Sequence, residues 1–196
     1  MLNRQRLFWA LATRRQLERW EPLVAAFLRD QLAGRNADSA LVWQAEVEHH
    51  FALVAAHHLL VALARSPASN VPVNTDMRAD LKDGRDLLEH REDNLEVFMV
   101  TPPPRPPPRK SGKSFARRNP GLSPYWWLRW TSEEGAQLMP KASAQDLHRL
   151  LDAVEAEVLD SDPGLRGYVP PRAASPWLYE GGEWWPRADD VTEGRA

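Results

Sequence analysis

The segment Gly84-Arg85-Asp86-Leu87-Leu88-Glu89-His90 holds the residue types that cleavage of a phosphodiester without a metal requires. In such chemistry the RNA 2′-hydroxyl is the nucleophile, so the protein must move protons and stabilise charge on the phosphate. His90, with an ordinary pKa near neutrality, suits a general base or acid. Arg85 offers a planar fork of donors for a phosphate. Asp86 stands one helical turn before His90, where a carboxylate can orient or charge an imidazole. On a helix turning 100° per residue Arg85 lies about 140° from His90, so it must reach round the helix or meet a His90 from another subunit. The same residues also make an ordinary solvated face with an Arg85–Glu89 ion pair.

Two other groups could do chemistry. Glu46, His50 and His57 project within about 40° of one another on a predicted helix, with His49 and His58 alongside. A carboxylate and two imidazoles could begin a metal site, completed by Asp80 or His148 from other helices. Histidines packed among Ala and Leu are the simpler expectation, so no metal or cofactor is assigned. Arg105, Arg109, Lys110, Lys113, Arg117 and Arg118 adjoin Tyr125, Trp126, Trp127, Arg129 and Trp130. Cations attract phosphates and aromatic faces stack unpaired bases, a combination suited to single-stranded RNA. A solvated linker before a packed hairpin explains the same composition. Gly112-Lys113-Ser114 is not a phosphate loop: Pro107 occupies the first glycine position and no strand is predicted before it.

The elements that must position these residues are mainly helical. Leu7, Leu11, Leu17, Trp20, Val24, Phe27 and Leu28 have helix-compatible spacing within residues 4–32, where Pro22 is expected to break the helix in two. Residues 40–65 are rich in Ala, Leu and Val and predict one long buried helix ended by Ser66-Pro67. Met77, Leu81, Gly84, Leu88 and Leu95 share a side of a third helix over residues 77–100, which puts Asp86 and His90 on the far side. The spacing of Leu147, Leu150, Leu151, Val154 and Val158 after Ser143 predicts a fourth, N-capped by that serine. The whole reads as an all-α bundle with a small β-hairpin, in one domain over residues 1–165. That domain includes a Pro-rich basic insert at about 101–124 and the hairpin at about 125–139. Residues 166–196 form a Trp/Pro-rich tail expected to pack over the bundle as extended chain. Trp9, Trp20 and Trp43 fall on helical patterns and are expected in the core.

Arg85, Asp86 and His90, on a helix that follows another long helix, resemble the motif of the HEPN superfamily: Arg, a polar residue, three or more residues, then His. The resemblance spans residues 40–160 in architecture and three residues in motif. It implies an up-and-down bundle of four or five helices and a homodimer that brings two motifs into one cleft. The implied activity is RNA cleavage without a metal, as in toxins and other defence components that have an antitoxin or other protein partner. The alternative is a non-catalytic helical protein-interaction module; a metal-dependent hydrolase is more distant.

Composition bounds these readings. The 196 residues are 43% hydrophobic and 27% charged, ordinary values for a globular chain. A net charge of −2 gives no global attraction to nucleic acid or membrane, so any such partner must use a local patch. Residues 101–131 provide one, with 7 basic and no acidic side chains, and residues 1–36 carry 7 basic against 3 acidic. The absence of cysteine excludes disulfides, thiolate metal sites and a cysteine nucleophile. Arg4, Arg6, Arg14 and Arg15 interrupt any signal-peptide core. Phe51–Ala64 is shorter than the roughly 20 residues of a membrane span. The sequence therefore predicts a cytoplasmic protein with no membrane partner.

Overall fold

A computed structural model of the chain describes residues 2–66, 69–89, 128 and 130–187. The fold is mostly helical with small antiparallel sheets. Helix α1, Leu2–Leu32, runs through Pro22 without a break, against the sequence expectation. Proline removes one intrahelical N–H. The helix nonetheless continues because both halves bury residues in one core, Leu7, Ala10 and Leu17 before the proline and Val24 and Ala25 after it. Gly34, at φ 67°, ends α1: its N–H reaches Gln31 O at 3.0 Å and that of Arg35 reaches Asp30 O at 2.8 Å. This paired closure needs a left-handed residue, which glycine supplies at little cost.

Helix α2, Ser39–Ala64, starts where the Asp38 side chain accepts from Ala40 N at 2.9 Å. It lies antiparallel to α1, since Trp20 meets His49 while Trp9 stacks on His58. Ala45, Ala52, Ala55, Ala56 and Ala62 are buried, small enough for neighbouring helices to approach closely. Among the described residues α2 is also the one helix long and apolar enough to cross a membrane, yet 56% of that stretch is buried inside the fold. More than half of its apolar stretch thus faces the protein interior.

Helix α3, Thr75–Glu89, begins where Asn74 Oδ1 accepts from Asp76 N at 2.9 Å and Met77 N at 3.2 Å. Met77 and Leu81 are buried and Leu88 is half-buried, as the stripe requires; the rest of the predicted helix, with Leu95, lies outside the described residues. Gly84 is the point of closest approach. A Cβ there would sit 2.5 Å from Met139 Sδ and 3.3 Å from Leu53 Cδ1. Both neighbours are sealed from solvent, so Gly84→Val is expected to cost about 2 kcal/mol through overpacking, despite valine's better helix propensity. Urea denaturation checks this, and a variant as stable as the parent would contradict the tight packing of α3 on Met139 and Leu53.

Strands β1 (Trp130–Thr131), β2 (Gly135–Met139) and β3 (Ala142–Ser143) form an antiparallel sheet in that order, with Trp130 opposite Ala136. The predicted hairpin is thus present from Trp130 onward, gains a third strand, and has its first residues, 125–127, outside the described residues. Every residue of β2 is buried. Ser143 Oγ then caps helix α4, Ala144–Ser161, by accepting from Asp146 N at 3.1 Å. A 3-10 turn, Pro163–Tyr168, follows.

The tail departs from the expected extended chain. It folds into a hairpin of β4, Trp177–Glu180, and β5, Glu183–Pro186. Gly181 and Gly182, at φ 63° and 92°, make the two-residue turn whose twist matches antiparallel strands. Pro186 is tolerated because it closes the last pair of the ladder. Trp177 is buried and Trp184 N donates to Ser132 O at 2.7 Å, which fastens this hairpin to the β1–β2 turn. Of the three helical tryptophans, Trp20 is buried and Trp9 half-buried, but Trp43 is 66% exposed, contrary to expectation.

Candidate active site at the α2–α3 seam

Arg85 and Asp86 occupy the last turns of α3, where α3 packs on α2. The Asp86 side chain is 17% exposed, partly buried rather than on a fully solvated far side. Its Oδ2 accepts from Lys82 Nζ at 2.9 Å, and its Oδ1 accepts from Arg85 Nε at 3.0 Å and from the Arg85 terminal nitrogen. Arg85 Nε also lies 3.4 Å from Glu89 Oε2, the ion pair expected from the i,i+4 spacing. Burial by itself would raise the Asp86 pKa. The hydrogen bonds from Lys82 and Arg85, with their charges, outweigh it and hold the carboxyl below its ordinary value. Asp86 is thus an ionised carboxylate already engaged by two cations. His90, which follows Glu89 at the end of α3, lies outside the described residues.

The sequence did not link His57 to this motif. His57 is 8% exposed, and its Nδ1 has no hydrogen-bond partner among the described residues. Burial, and then the positive charge of Arg85, push its pKa down to about 4, so the imidazole is neutral near pH 7. Helix packing thus puts two side chains 28 positions apart within range of each other's charge. No spacing rule signals such a pairing.

The other candidates fare differently. Among the described residues no three metal-capable side chains gather. Glu46, His50 and His57 share a helix side, but Glu46 and His57 are separated by about 16 Å of helix rise. Rotational agreement cannot close an axial gap of that size. His49 is fully buried and donates from Nε2 to Leu138 O at 2.7 Å; burial drives its pKa down to about 3. His58 is stacked on Trp9, with ring centroids 4.4 Å apart. Asp80 accepts from Lys141 N at 3.1 Å. His148 Nε2 pairs with the buried Glu21 at 2.5 Å, joining α4 to α1, so neither supplies a ligand to the α2 histidines. Arg105, Arg109, Lys110, Lys113, Arg117 and Arg118 lie outside the described residues.

No family model, curated protein or solved structure matches the chain.

Proposed function

We propose that the protein is a HEPN-like, metal-independent endoribonuclease whose site lies at the end of α3. The observation that carries this reading is the partly buried Arg85–Asp86 pair, five and four residues before His90 in the chain, with the neutral His57 within range of the Arg85 charge. In the proposed reaction the RNA 2′-oxygen gives up its proton, forms a bond to the adjacent phosphorus and displaces the 5′-oxygen, which takes a proton as it leaves. His90 transfers the proton. Arg85 turns its guanidinium from Asp86 and Glu89 to the phosphate, and Asp86 orients His90. A neutral His57 adds no second cation that would repel Arg85. The reading extends to an up-and-down bundle that pairs as a homodimer, in the cytoplasm, as a toxin or defence component with an antitoxin or other protein partner. The basic residues between 105 and 118 would guide RNA.

The test is cleavage of a mixed RNA pool by purified protein in EDTA, with folded Arg85→Ala and His90→Ala variants in parallel. Cleavage by the parent is expected to survive EDTA and to fall by roughly 100-fold or more in both variants, the usual size of a lost acid–base group. A parent without activity, or variants as active as the parent, would sink the proposal.

One observation favours a second reading, the non-catalytic interaction module. Trp43, Val47 and Phe51, at i, i+4 and i+8 on α2, are 66%, 47% and 53% exposed and make a continuous apolar stripe. The more distant metal-dependent hydrolase would have to draw on Glu46, His50 and His57 despite their separation along the helix.

A further inference from the structure

The basic character of the N-terminal segment resolves into two kinds of arginine. Arg6 pairs with Glu157, Arg14 with Glu155 and Asp152, and Arg35 with Asp30, while Arg29 donates to Arg187 O. Arg4, Arg15 and Arg19 are exposed and have no hydrogen-bond or ion-pair partner among the described residues. With Phe8 and Leu11 they recur at intervals of three or four residues along one face of α1.

That face is one wall of a cleft. Phe8, Leu11, Arg15 and Arg19 oppose Tyr168 and Pro170 from the chain that follows α4, around about 820 Å³. An adjoining lobe of about 360 Å³ shares Phe8, Leu11 and Tyr168 and reaches Arg4. Phe8 is 62% exposed and Tyr168 71%, so both present ring surface to solvent beside uncompensated cations. The one acidic lining residue, Glu18, is turned to the tail, where it accepts from Ala173 N at 3.3 Å.

We infer that this cleft binds a segment of single-stranded RNA, with phosphates held by Arg15 and Arg19 and a base laid on Phe8 or Tyr168. Guanidinium forks match phosphate oxygens, and flat exposed rings stack any base. An acidic peptide could also pair with the arginines, but its carboxylates make no use of the exposed Phe8 and Tyr168 rings, on which a base can stack. None of Arg85, Asp86 and His57 lines this cleft. The nuclease reading supplies only the class of ligand, and binding here is separable from cleavage there.

The experiment titrates the full chain into a labelled 2′-O-methyl oligouridylate, which lacks the nucleophile and cannot be cleaved, and reads fluorescence anisotropy. The variants are the doubles Arg15→Glu/Arg19→Glu and Phe8→Ala/Tyr168→Ala, with circular dichroism as the check on folding. Each double is expected to weaken binding at least about tenfold, the first also lowering the salt slope by about two. Binding unchanged in both doubles, or absent in the parent, would overturn the inference. Competition by oligoglutamate as effective as by oligouridylate would overturn it in favour of an acidic peptide. Arg85→Ala is expected to keep parental affinity, so a lost nuclease and a lost RNA cleft give different results.

Discussion

Arg14→Ala is expected to destabilise the fold by about 3–5 kcal/mol, enough to unfold a marginal domain. Arg14 is 6% exposed at the α1–α4 interface, with Nε 2.8 Å from Glu155 Oε1 and a terminal nitrogen 2.9 Å from Asp152 Oδ1. Burial disfavours its charge, but the hydrogen bonds to Asp152 and Glu155 more than compensate and raise its pKa. Removing the guanidinium leaves Glu155, itself 4% exposed, with Arg172 at 3.7 Å as its nearest remaining cation. Most of the loss is thus the desolvation of an orphaned carboxylate. Accordingly, Arg14→Met combined with Glu155→Leu is expected to recover much of it, because neither charge is then buried. Urea melts of Arg14→Met, Glu155→Leu and the double close the cycle. An Arg14→Ala protein within about 0.5 kcal/mol of the parent would show that the pair contributes no more than an exposed one.

Acidification from near pH 7 to near pH 4 is expected to cost stability on the order of 5 kcal/mol, with His49 and His57 as the main source. Both have folded pKa values below the ordinary 6.5, at about 3 and about 4. The unfolded chain therefore takes up protons below pH 6.5 that the folded chain refuses. Stability is full above 6.5 and declines as the pH falls through the window down to the folded values. His49→Gln can keep a donor to Leu138 O while removing the titration, and should flatten the decline most, since His49 is sealed from solvent. Asp86 and Glu157, both depressed, behave differently: each contributes above the ordinary carboxylate range and loses that contribution only at lower pH still. Denaturant melts across the range provide the check. A flat profile between pH 6.5 and 4 would mean that both histidines charge freely in the folded state.

Local patterns were legible because they depend on neighbours within a turn or two. The Ser143 cap, the stripe from Leu147 to Val158 and the Arg85–Glu89 spacing are all of this kind, and the structure contains each. The Gly181-Gly182 turn was equally readable, but the surrounding prolines drew the tail toward irregular structure. Pro22 shows the limit of a local rule. A missing hydrogen bond costs a few kcal/mol at most, whereas Trp20, Val24 and Ala25 are wholly buried just beside it.

Residue types by themselves determined a chain without thiol chemistry, a mostly helical fold and a candidate set of Arg85, Asp86 and His90. Which groups meet was decided only by tertiary packing. The Arg85 charge reaches His57, His148 holds Glu21, Arg14 is enclosed by two carboxylates of α4, and Trp43 is left outside. Helical periodicity fixes an angle about one axis, and none of these four outcomes is a matter of angle alone. Each depends on where one helix lies along and against another, and that is set by the summed burial of the core.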